Sequence, residues 1–123
     1  MLEIEVAIIQ WGVVRMSIKD KDKIDSIGMN KETGIVTLAI TDHLDWSNEY
    51  EHLILLQDKI NIYVSFLESG EVYESYPQAE GKNFEIKIFS KFDLPGNAVE
   101  YLNVAYSTVK EAGFDLSYEV SEE

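Results

Sequence analysis

Residues 48–69 are the longest amphipathic run in the chain, and a run of that length fits few architectures. Leu53, Leu56, Ile60, Tyr63 and Leu67 are spaced 3, 4, 3, 4, which sets them on one stripe of a 3.6-residue helix. Leu55, Ile62 and Phe66 add a second stripe beside the first. The apolar arc then covers about half the circumference, more than the ~100° of a helix that touches one surface. Such a helix is expected to lie on a sheet and also to touch a second helix or another subunit. Asp45 or Ser47 is positioned to cap its start, Glu49 and Glu51 suit the positive end of the helix dipole, and Gly70 suits its end.

The flanking segments read mostly as strands. Residues 23–29 and 34–41 are β-favouring runs about the turn residues Asn30, Lys31, Glu32, Thr33 and Gly34, which predicts a hairpin. After the long helix, residues 71–82 form an aromatic-rich loop with room for one helical turn. Phe84, Ile86 and Ile88 alternate with Glu85 and Lys87 as a further strand. Pro95 and Gly96 break the pattern and open a second helix, with Ala98, Leu102, Ala105, Val109 and Ala112 on one stripe. Phe114, Leu116, Tyr118 and Val120 alternate with acids and serine as the last strand.

Strands that alternate apolar with polar residues give a sheet with one buried and one wet face, so both helices must share a side. The expected fold is an α+β two-layer sandwich with a ββαβαβ mixed sheet, both helices on one face, and room for an extra N-terminal strand. Residues 2–14 begin with strict alternation and supply that strand. They also admit a different origin. Trp11 and Gly12 require a G-rich hexamer shortly ahead of Met16, as a translated ribosome-binding site would give. Residues 1–15 are therefore read as an extension or extra strand, and 16–123 as one domain.

Composition narrows the function. The chain has 123 residues, 46% of them hydrophobic, a globular value, and no cysteine, which removes disulfides, thiolate catalysis and zinc–cysteine sites. A net charge of −13 repels phosphate backbones and anionic lipid, so nucleic acid and membranes are poor partners, and a basic protein is an allowed one. No apolar run is long enough to span a bilayer, and the acidic start does not read as a signal peptide. A cytoplasmic location is the expectation.

Both histidines sit at the entrance to the long helix. Asp42, His43, Asp45, Glu49, Glu51 and His52 crowd into eleven residues. His43, Asp45 and His52 are the candidates for acid–base catalysis, and His43, Glu49 and His52 for a mononuclear metal site. Capping of the helix start explains most of the same residues, so no catalytic residue, metal or cofactor is assigned. No nucleophile elbow or phosphate-cradling glycine loop is present. The aromatic set Trp46, Tyr50, Tyr73 and Tyr76 suits an interface, being amphipathic with few torsions.

Several stretches carry a resemblance: Ile24-Asp25-Ser26-Ile27-Gly28, Lys31-Glu32-Thr33-Gly34, Thr41-Asp42-His43-Leu44-Asp45-Trp46, Glu51-His52-Leu53, Leu55-Leu56-Gln57, and Glu68-Ser69-Gly70-Glu71 with Tyr73-Glu74-Ser75-Tyr76-Pro77. Over about its last hundred residues the chain resembles a small uncharacterised bacterial family, a domain of unknown function found mainly in Gram-positive bacteria. The resemblance implies a stand-alone bacterial domain and transfers no catalytic residue. The expectation is a protein-binding module, inhibitor-like, immunity-like or regulatory, acting through Asp42, His43, Asp45, Trp46, Tyr73 and Tyr76. The alternative is a small metal-dependent or acid–base hydrolase at the 42–52 cluster. A homodimer through the edge of the long helix is compatible with either.

Overall fold

The computed structural model describes residues 4–7 and 24–120. The expected start at Met16 and the lead-in at 17–23 lie outside the described residues. In chain order the elements are β1 (Ile4–Ala7), β2 (Ser26–Asn30), β3 (Val36–Asp42), α1 (Glu49–Glu68), α2 (Glu71–Ser75), a 3-10 turn (Pro77–Ala79), β4 (Phe84–Ser90), α3 (Gly96–Glu111) and β5 (Asp115–Val120).

The five strands lie in sequence order, with β1, β2 and β3 antiparallel and β3, β4 and β5 parallel. The two parallel connections, β3–α1–β4 and β4–α3–β5, step the same way across the sheet. Right-handed crossovers then put α1 and α3 on one face. The burial pattern agrees: Val36, Leu38 and Ile40 of β3 and Phe84, Ile86 and Ile88 of β4 are buried with Leu56, Ile60, Tyr63, Leu102 and Val109 of the helices. The expected α+β two-layer sandwich is the fold, and residues 4–7 give it the extra strand.

The other face is polar. Thr37 Oγ1 donates to Glu85 Oε1 at 3.2 Å and Ser117 Oγ donates to Glu85 Oε2 at 2.7 Å, so one carboxylate ties three strands.

The β2–β3 turn uses Asn30 as its organiser. Its side-chain oxygen accepts from the Glu32 and Thr33 amides, and Gly34 takes a φ of 77° that a side chain would resist. Gly70 does the same at the end of α1, with φ 85°.

Two details of α1 differ from the sequence expectation. Its cap is Asn48, whose Oδ1 accepts from the Glu51 amide at 3.2 Å while Nδ2 donates to Glu51 Oε1 at 3.1 Å. Ser47 bonds to Asp45 instead, and the two stand one and three residues ahead of the cap. The apolar arc is also rotated: Ile62 is exposed, and His52 and Lys59 are buried in its place. Helical geometry explains the swap, since 52, 56, 59 and 63 form a stripe as regular as any drawn through leucines alone.

Candidate functional site

Alternation along β3 sends Val36, Leu38, Ile40 and finally Asp42 toward the helices. The first three are apolar core. The last is a carboxylate, buried where the strand leaves the sheet. Burying an ionised group is costly unless it is paired, and the partner comes from the first turn of α1. His52 Nε2 lies 2.7 Å from Asp42 Oδ2 and 2.9 Å from Oδ1, with both residues almost wholly out of water. The other ring nitrogen, Nδ1, lies 3.0 Å from the Asp45 carbonyl oxygen. Trp46 stacks on the imidazole with centroids 3.5 Å apart and planes 12° apart.

The loop between strand and helix is folded by three short polar side chains in succession. Asp42 Oδ1 accepts from the Leu44 amide at 3.2 Å. Asp45 Oδ1 accepts from the Ser47 amide at 3.2 Å and from its hydroxyl at 2.8 Å. These hydrogen bonds from Ser47, first the hydroxyl and then the amide, hold the Asp45 carboxyl below its ordinary value. Asn48 then caps the helix.

Two turns further along the same stripe, α1 sends a second polar side chain into the protein, a lysine. Lys59 Nζ lies 2.9 Å from Asp25 Oδ1, both groups buried. Asp25 Oδ2 accepts from the Thr41 amide at 2.7 Å, and the Asp25 amide donates to the Tyr63 hydroxyl at 2.7 Å. That hydroxyl donates in turn to the Ala39 carbonyl. Strand β2 begins only at Ser26, opposite Ala39, so the last residues of β3 lack a ladder partner on that side. Asp25 and Tyr63 supply the missing donors and acceptors. Sequence reasoning missed Lys59 because lysine is rarely buried. The available signal was its place between Leu56 and Tyr63 at helical spacing, with Asp25 preceding a strand.

Chemically, the His52 site is closed. A general base needs a nitrogen lone pair directed at a substrate. Here an acceptor faces each ring nitrogen and an indole covers one ring face. Nδ1 donates to the Asp45 carbonyl, and one proton lies between Nε2 and Asp42. Ser90, the register partner of Asp42 on β4, is buried and donates to the Phe92 carbonyl at 3.0 Å. Among the described residues no three His, Asp or Glu side chains converge as metal ligands. Glu49 Oε1 instead accepts from Asn97 Nδ2 of α3 at 3.0 Å, and His43 is exposed. A shallow hollow of about 260 Å³ beside the pair is lined by Asp45, Ser47, Asn48, Glu51 and His52 with Leu44 and Leu55.

The proposed binding residues do not form one patch. Asp42 is buried against His52. Asp45 is exposed and Trp46 half-buried, at the start of α1. Tyr73 and Tyr76 follow the far end of that helix, whose 20 residues span about 30 Å. Tyr76 is buried, so its expected surface role is corrected: the α2 turn folds it into the core. Tyr73 is half-exposed and packs edge-on against Phe84, with centroids 6.0 Å apart. Among the described residues Tyr50, two positions before His52, is the most exposed of the large apolar side chains at 77%.

A family model described as a family of unknown function, DUF6572, matches residues 16–122. No curated protein and no solved structure matches the chain. No helix among the described residues is long and apolar enough to cross a membrane.

Proposed function

We propose that the chain, which belongs to this family of unknown function, is a cytoplasmic protein-binding module that takes a basic partner on the face at the start of α1. The observation that carries this reading is Tyr50, which stands in water between Glu49 and Glu51 on the first helical turn. Asp45 and His43, in the loop that leads into this helix, are exposed as well. The loop beside it is held by the buried His52–Asp42 pair and by side-chain bonds from Asp42, Asp45 and Asn48 to backbone amides, so a partner would meet a preorganised surface, which lowers the ordering cost of binding. An exposed tyrosine in a first turn that also carries Glu49 and Glu51 suits a cationic partner, and the net charge of −13 would speed its approach.

The competing reading, a small hydrolase using His43, Asp45, Glu49 and His52, would need the His52 contacts to open before an imidazole nitrogen became available. Their satisfaction weighs against it. The test is affinity capture from a bacterial lysate with the wild-type chain and a Tyr50→Ala/Glu51→Lys variant of equal thermal stability. A specific basic protein retained by the wild type, lost with the variant, and released as salt rises from about 0.1 to 0.5 M supports the proposal. Equal capture by both chains, or none above background, contradicts it.

A further inference from the structure

Strand β5 ends the sheet. Its one described neighbour is β4, so every second backbone N–H and C=O of Asp115–Val120 faces outward. No backbone hydrogen bond to another described residue covers that edge. Beside it runs a groove of about 270 Å³ between α3 and β5, lined by Leu102, Asn103, Tyr106, Leu116, Ser117 and Tyr118. Tyr106 and Tyr118 are 44% and 43% exposed, a large apolar area to leave beside an open strand edge. The strand is short and carries no proline or bulge to blunt it.

Pleating fixes what an added strand would meet. Leu116, Tyr118 and Val120 point to the helix side, and Asp115, Ser117 and Glu119 to the open face. A segment laid along β5 would put one set of its side chains into the groove beside Leu116 and Tyr118. Its alternate set would lie beside Asp115 and Glu119. On that open face Glu85, Asp115 and Glu119 outnumber the single lysine of β4, Lys87, which reaches Glu119 at 3.1 Å. Lys110 of α3 reaches Asp115 at 3.6 Å. Both carboxylates are about half exposed, so an incoming cation can compete for them.

We infer that the edge of β5 is a strand-addition site for an extended segment of a basic protein, with apolar side chains entering the α3–β5 groove and alternate lysines or arginines facing Asp115 and Glu119. Main-chain hydrogen bonds supply the affinity and the alternation supplies the selectivity. A second copy of this chain fits worse. Two molecules of net charge −13 repel each other, and pairing β5 with β5 gathers both copies' Asp115 and Glu119 on one ribbon. The inference goes beyond the Tyr50 face and does not depend on it.

The experiment uses the full chain and a synthetic peptide of alternating valine and lysine, followed by amide chemical shifts and hydrogen exchange. Free, the outward amides of residues 115–120 should exchange quickly. With peptide they should shift and slow, and Tyr118→Lys or Tyr106→Glu should weaken binding roughly tenfold while leaving the fold intact. A valine–glutamate peptide, or the valine–lysine peptide with alternate amides N-methylated, should not bind. Four results would overturn the inference: protected β5 amides in the free chain, equal binding of the control peptides, self-association through β5 in place of peptide binding, or shifts confined to the Tyr50 face. The last of these would leave the function proposed above standing.

Discussion

Tyr63 carries its hydroxyl into the gap where β2 departs from β3, accepting from the Asp25 amide and donating to the Ala39 carbonyl. Burial, aided by the nearby Asp25 charge, pushes that hydroxyl far above its ordinary value. The folded chain therefore keeps a proton that the unfolded chain, titrating at 10.0, gives up. Stability should hold up to about that pH and fall above it by about 1.4 kcal/mol per pH unit for this one group. Half-buried Tyr101 is shifted the same way, by burial first and then by Asp58, and adds to the slope. Replacing Tyr63 with Phe should cost about 1–3 kcal/mol at neutral pH, because two buried backbone groups lose this partner, and should flatten the alkaline slope. Urea denaturation of both chains across pH 8–11 checks the pair of effects. An unchanged slope would mean that the hydroxyl titrates as it would in water.

Among the elements, α1 shows what its own text discloses and what it hides. Leu56, Ile60, Tyr63 and Leu67 were legible as a stripe, and Gly70 as its end, because leucine-rich periodicity and a left-handed glycine are local properties. The strands were legible for the same reason. Hidden from the sequence was that the stripe also runs through His52 and Lys59, since a buried imidazole or ammonium is justified only by a partner elsewhere in the chain. Asp42 and Asp25 stand ten and thirty-four positions earlier, brought near by sheet topology that no local pattern encodes. The crowding of acids before the helix is plain in the sequence, but its division into a buried member, Asp42, and an exposed one, Asp45, is set by the strand's alternation. The cap follows the same lesson: Asn48 takes the Glu51 amide on its side-chain oxygen and gives its side-chain amide to the Glu51 carboxylate, a pairing that Asp45 and Ser47 concealed. Asn48→Ala should lower stability by about 1 kcal/mol, whereas Ser47→Ala should change it by less than half of that. Equal losses in thermal melts would return the cap to the earlier residues.

For the molecule as a whole, the domain should be self-sufficient from Met16. The family match begins there, and β1, at four residues, is a short edge whose loss leaves β2 as the boundary of the sheet. A chain beginning at Met16 should melt cooperatively within a few degrees of the full chain; failure to fold would make the first fifteen residues part of the domain. The larger question is whether the protein is a scaffold or a catalyst, and it turns on the His52–Asp42 pair. A clasp and a reactive centre respond oppositely to removal: breaking a buried structural pair leaves an uncompensated charge, whereas emptying an active site often stabilises the fold. The decisive measurement is a double-mutant cycle by urea denaturation with His52→Ala, Asp42→Ala and both. A structural clasp predicts a loss of about 3–5 kcal/mol for each single change and a double mutant far more stable than their sum implies. Single mutants as stable as the wild type, or more so, would contradict it and reopen the pair as a site of chemistry.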